Sequence, residues 1–187
     1  TVAQLSEKDI PMHVRLTDDP DSSGTLILPP GQRSDAPLTN RGVAGLSTLK
    51  NITLITVSGG GLVGVPGFSR RLFTALSLAG VNVVLVSQGS SEHAISIAVA
   101  DNDAHEARKA LNEEFGSDQE LGRIGPLMVE SGFAIVALVG DGMRQQSGIA
   151  GRAFGSLGRN GISIRAISQG STERNISIVI DAKHERK

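Results

Sequence analysis

The phrase VSQGSSEHAISIAV occupies Val86–Val99, and ISQGSTERNISIVI occupies Ile167–Ile180. The two stand 81 residues apart, and the same offset aligns Ile52–Val99 with Phe133–Ile180 without a gap. Fifteen of the forty-eight aligned pairs are identical, and thirteen of the others exchange one apolar residue for another. Gly59 falls on Gly140, Gly67 on Gly148, Gly80 on Gly161 and Gln88 on Gln169. Self-similarity at a fixed period marks a duplicated structural unit. Two copies are too few for a solenoid, so the chain is a pair of modules.

Each copy reads as the same string of elements. ITLITV (Ile52–Val57) is a short β-branched run, which predicts a strand. A Gly/Pro loop, Ser58–Gly67, follows. Phe68, Leu72, Phe73, Leu76 and Ala79 then recur at helical spacing, and Gly80 provides the stop. VNVVLVSQ and HAISIAVA predict two more strands around the turn GSSE. In DNDAHEARKALNEEF, Asp103 and Glu106 fit a capping pair and Ala104, Ala107, Leu111 and Phe115 form the inward stripe of a second helix. A further strand is expected around Leu127–Val129. The fold class is therefore α+β: two tandem ferredoxin-like βαββαβ modules, each with helices on one face of an antiparallel sheet. The second is expected to be truncated, because the offset puts its second helix past Lys187. Residues 1–42 are expected to be the end of a preceding domain and a Pro/Gly/Ser/Asp-rich linker, 43–126 the first module and 127–187 the second. The chain is expected to be a piece of a longer protein.

Composition excludes several classes. Net charge is −1 and the pI near 6.4, so the chain lacks a basic footprint for nucleic acid or an anionic membrane. Aromatics make up only 3%, too few for base-stacking on the strands. Cysteine is absent, no apolar run is long enough to span a bilayer, and a cytoplasmic location is expected. His13, His93, His105 and His184 are scattered without metal-ligand spacing, and one recurring carboxylate per copy (Glu92, Glu173) is not an acid–base pair. Neither a catalytic set nor a metal site is expected.

The loops carry the remaining signal. SGGGLVG offers a G-x-G-x-x-G match over Gly59, Gly61 and Gly64, but the second copy loses it at Gln145 and no GK[ST] follows, so nucleotide binding is disfavoured. The glycines could simply make turns. The preferred alternative is a small-ligand carboxylate held by backbone N–H groups in the loop of Gly64, Val65, Pro66 and Gly67, where Pro66 itself has no N–H to give, and, in the second copy, in Gln146, Ser147 and Gly148. Gln88 and Gln169 end a strand in each copy, and a neutral amide suits a zwitterionic amino acid or its hydroxyl. A Gln closing its own strand end would look the same.

The stretches LSTLKNITLITVSG, VALVGDGM and the paired SQGSSE and SQGSTE resemble ACT domains, and in particular the tandem regulatory region of aspartate kinases of the bifunctional aspartokinase–homoserine dehydrogenase type. Upstream, IPMHVRLTDDPDSSGTLI resembles the closing strand of an amino-acid-kinase domain, with LTDDP where that family has an Asn-Thr-Phe-Asn-Pro run. The resemblance implies a parent enzyme that phosphorylates aspartate using ATP and Mg in its kinase domain, with no cofactor in this stretch. It implies that an end-product amino acid binds between modules, which pair into a homodimer. Gln88 and Gln169, Asn82 and Ser163, and Val86 and Ile167 are the positions it marks for the effector. Threonine is preferred to lysine, since an ammonium tail would want a carboxylate and only Asp141 offers one, with Gly60 opposite it. The competing classes are a stand-alone amino-acid-binding module or transcriptional regulator, and a purely structural dimerisation module.

Overall fold

The β-branched runs become strands because their alternate side chains can be buried on opposite faces of one sheet. The structure is a computed structural model that describes residues 4–5, 7–29, 42–60, 67–89, 94–143 (Asp141 as backbone only), 146–171 and 174–186. The chain divides into two compact units, Thr1–Asn40 and Arg41–Lys187. The first holds an antiparallel hairpin of β1 (Met12–Val14) and β2 (Thr25–Ile27). Within it, Arg15 Nη1 donates to the Pro20 carbonyl at 2.9 Å, and His13 Nε2 lies 2.7 Å from the Ser23 carbonyl.

The second unit runs β3 (Gly45–Ser58), α1 (Phe68–Leu78), β4 (Val83–Gln88), β5 (Ala94–Ala100), α2 (Ala104–Glu120), β6 (Met128–Val139), α3 (Ile149–Arg159), β7 (Ile164–Gln169) and β8 (Asn175–Asp181). Six strands form one antiparallel sheet in the order β4-β5-β3-β6-β8-β7. This is the α+β arrangement the duplicated pattern predicts. Even the short 3-10 turns after the third strand of each copy, Asp101–Asp103 and Ala182–His184, keep the repeat offset.

The two long strands are shared in a way the sequence does not announce. The second half of β3 pairs with β5 on one side and, from Ile52 to Thr56, with Phe133 to Met128 on the other. Its first half, Gly45–Leu49, pairs instead with Val139–Ile135 of β6, whose other edge is taken by β8. Each four-stranded half-sheet is thus completed by a strand half from the other copy. The second module receives its fourth strand from Gly45–Leu49, at the very start of the first. The strand expected around Leu127–Val129 exists as the opening of β6.

Three apolar clusters hold the sheet. Ile55, Val57, Ile95, Ile97 and Val99 pack under α1 and α2, where Leu72, Ala107, Leu111 and Phe115 are fully buried. The second copy repeats this with Ile176, Ile178 and Ile180 against Ile149, Phe154 and Leu157 of α3. On the opposite face, Ile52, Leu54, Leu85, Ala98, Phe133, Ile135, Ala166 and Val179 make a third cluster to which all six strands contribute. The terminal strands β4 and β7 approach one another there, so the sheet coils around this inner cluster.

Two local expectations need correction. Phe73 shares the helical spacing of Leu72 and Leu76 but points outward, with 38% of its surface exposed. The α1 stripe is narrow, and Leu72 already fills the inward position beside it. Asp103 is the N-cap of α2 but makes no side-chain capping bond, so the pair with Glu106 does not form. Its φ of −92° and ψ of −10° are already helical, because the preceding 3-10 turn leads into α2 without an extended cap residue.

Candidate functional site

In the second copy the loop after β6, the start of α3 and the end of β7 enclose a cavity of about 380 Å³. Met143, Gln146, Ser147, Gly148, Ile149, Ala150, Gln169 and Ile176 line it. The placement follows from chain geometry. Gly148 has φ of 84°, a left-handed conformation that lets the loop swing directly into α3. Gly67 repeats this before α1 with φ of 91°. The first turn of α3 carries no acidic residue, so its outward N–H groups keep their positive end for a ligand. Gln169 reaches the cavity because it is the last residue of β7, directly across from Ile176 of β8. Apolar Met143 and Ile149 are buried, Gln146 is half-buried, and Ser147 and Gln169 are exposed. An apolar floor with a few convergent amides, a hydroxyl and a helix N-terminus is the make-up of a small-ligand site.

The structure brings Gln146, Ser147, Gly148 and Gln169 together, four positions the sequence singles out. Ile167 lies two residues before Gln169 on the same strand face and is 40% exposed, without lining the cavity. Ser163 stands just before the other end of β7, roughly 20 Å along an extended strand from Gln169. One chain therefore does not gather Ser163 and Gln169 at one point. In the first copy, Val86, Gln88 and Asn82 occupy equivalent exposed positions and Gly67 begins α1. Gly64, Val65 and Pro66 lie outside the described residues, as do His93, Glu92 and Glu173. Met143, Ile149, Ala150 and Ile176 are lining residues that the sequence does not single out. Ile176 could have been found from register alone, since a Gln at a hairpin strand end must face a cross-strand neighbour.

Away from the cavity, Arg71 ties α1 to α2. Its Nε donates to Glu114 Oε1 at 2.6 Å and its Nη2 to Asp118 Oδ2 at 2.8 Å, while the guanidinium lies 4.8 Å over the Phe115 ring. The hydrogen bond to Glu114, then that to Asp118, raises the Arg71 pKa above its ordinary value. The Arg71 hydrogen bond, more than the charge of Arg123, holds the Asp118 carboxyl below the usual carboxylate range. This is a structural clamp. Among the described residues no group of three or more His, Asp or Glu side chains is placed to hold a metal ion. Nor is any helix among them long and apolar enough to cross a membrane.

A sequence model described as ACT domain matches residues 55–115 and 136–187, one stretch in each copy. The chain belongs to the ACT domain family. Among curated relatives, a bifunctional aspartokinase/homoserine dehydrogenase of Haemophilus influenzae is 38% identical over 180 residues, covering 96% of this chain and 22% of that protein. The chloroplastic bifunctional enzyme of Daucus carota is 34% identical, over 96% of this chain and 20% of its own length. The chain thus spans about a fifth of the length of these curated relatives. Among solved structures, aspartate kinase of Clostridium acetobutylicum superposes with a TM-score of 0.84 at 25% identity, covering 97% of this chain and 40% of that one. The ligand-free regulatory subunit of aspartate kinase from Thermus thermophilus gives 0.66 at 25% identity over 78% of this chain and 92% of its own. The two copies are a tandem ACT regulatory region of the aspartate kinase type.

Proposed function

We propose that this tandem ACT region is the feedback sensor of an aspartate kinase, and that its effector is an end-product amino acid, threonine rather than lysine. The observation that carries the reading is the convergence of Gln169, Gln146, Ser147 and the α3 N-terminus on one cavity. An α-carboxylate finds N–H donors at the helix start, and a hydroxyl finds amides able to donate and accept. The parent protein would phosphorylate aspartate with ATP and Mg in a kinase domain, and the relatives' names support that reading. A homodimer formed along the outer strands β4 and β7, which each hydrogen-bond to one neighbour in the sheet, would suit their exposed Val84, Val86 and Ile167.

Isothermal calorimetry with threonine and lysine tests this directly. A side-chain hydrogen bond contributes about 0.5–1.5 kcal/mol net, and more to a charged group. Gln169→Ala and Gln88→Ala should therefore each weaken threonine binding by roughly 3- to 100-fold. No heat from threonine, or binding to both variants as tight as to the parent, would reduce the glutamines to turn residues.

A further inference from the structure

The chain entering β3 packs behind the second-copy site, against two of the residues that line it. Gly42 is buried. A Cβ placed on it would fall on Gln146 Oε1 and Ile149 Cδ1, both belonging to cavity-lining residues, and 3.0 Å from the Gly142 carbonyl oxygen. The loop glycine Gly140 is pressed from the other side. A Cβ there would meet the Gly42 carbonyl oxygen and lie 2.8 Å from the Ala44 nitrogen. Ala44 N–H in turn donates to the Val139 carbonyl at 2.8 Å, which fixes the strap to the last residue of β6.

The first copy has the same device with a different supplier. Gly125 N–H donates to the Ser58 carbonyl at 2.8 Å, and a Cβ on Gly59 would fall on Arg123 and Ile124. Arg123–Gly125 come from the end of α2, so that strap begins and ends inside the tandem region. Gly42–Ala44 instead follow the segment that leads out of the first compact unit.

We propose that Gly42–Ala44 is a relay strap: an effector in the second-copy site fixes Gln146 and the start of α3, and thereby fixes the chain segment entering β3. The inference rests on the effector reading of that site and adds the route by which occupancy is read. Gly42 is a positioning residue, acting through Gln146. Linkage makes the effect reciprocal: whatever orders the strap tightens the ligand, and the ligand orders the strap by the same factor.

Hydrogen exchange on the chain with and without saturating threonine, followed at Ala44, is the first measurement, since its amide bond to Val139 is the strap's fastening. Protection at Ala44 should rise by about 5- to 150-fold with ligand. Calorimetry on Gly42→Ala, whose added methyl displaces the Gln146 amide, should show threonine bound at least about 5-fold more weakly. Gly45→Ala, where a Cβ meets nothing within 4 Å, should bind as the parent does. The wild-type exchange experiment decides the matter even if Gly42→Ala fails to fold. Threonine binding that leaves Ala44 exchange unchanged overturns the relay while the effector reading stands. Absence of heat from both threonine and lysine overturns the effector reading itself, and the relay falls with it.

Discussion

Asn51 and Gly132 stand one repeat apart and share a left-handed backbone, with φ of 57° and 89°, at the matching bend of β3 and β6. The ladder between the strands shifts register there, between Leu49 and Ile52. This bend hands each strand from one half-sheet to the other. Asn and Gly are the residues that tolerate this conformation, so the two copies meet one steric demand with different chemistry.

Gly132→Ala should destabilise the chain by about 1–2 kcal/mol, the usual penalty for a Cβ in left-handed conformation. A Cβ at Gly132 meets nothing within 4 Å, so the cost is purely backbone. Asn51→Gly should be close to neutral. Urea denaturation of the two variants checks both, and an unchanged midpoint for Gly132→Ala would mean that the bend relaxes.

Arg71→Ala should cost about 1–2 kcal/mol, combining part-exposed ion pairs with the cation–π contact on Phe115. Arg152, at the equivalent position of α3, is exposed, and Arg152→Ala should stay within about 0.5 kcal/mol of the parent. Comparable losses in the two variants would show that the clamp contributes nothing beyond a generic surface arginine.

The same clamp sets an acid dependence. The Asp118 carboxyl has its pKa lowered in the folded state, first by its hydrogen bond from Arg71. Its contribution is therefore complete above the unfolded value of about 3.9 and is lost as pH falls through the folded value. The stability of the parent should drop between about pH 5 and pH 2 by more than that of Asp118→Asn, measured by urea midpoints across that window. Parallel curves for the two proteins would refute the linkage.

Thr53→Val should cost about 1–3 kcal/mol although the side-chain volume is kept. Thr53 is fully buried, and its hydroxyl donates to Asp101 Oδ1 at 2.6 Å and lies 2.9 Å from Ser131 Oγ. The second copy has Ala134 and Ala182 at the places of Thr53 and Asp101, so this buried polar link belongs to the first copy alone. Thermal melts of Thr53→Val and Asp101→Ala together with the double variant would expose the coupling, and strict additivity would argue against it.

Much of this architecture is legible in the residues because burial writes a period into the chain. Ile52–Val57 and the Ala107–Leu111–Phe115 stripe declare strand and helix, and the repeat offset carries the first copy's reading onto the second. Gly45–Asn51 declares nothing, since every residue there is exposed and its pairing is a matter of backbone alone. Phe73 misleads because periodicity cannot tell which side of a narrow stripe will find a partner. At the site, Gln169 and Ser147 stand out as polar residues in repeated loops, whereas Met143 and Ile176 look like any other core residue. Gly42 sits in a stretch whose composition reads as linker, and only the close approach of Gln146 gives it a role.

The exchanged halves of β3 and β6 bear on how the chain is made as well as how it rests. Gly45–Leu49 leaves the ribosome long before Val139–Ile135 exist to receive it, so its edge waits unpaired until β6 is made. Closing that ladder draws together stretches roughly 90 residues apart in the chain, and such non-local pairing is slow to form. The second copy's half-sheet is complete only once residues from ahead of Ile52 have joined it. The amino-terminal half-strand is thus among the first parts of the sheet to be made, and it stays without its β6 partner until that strand is synthesised.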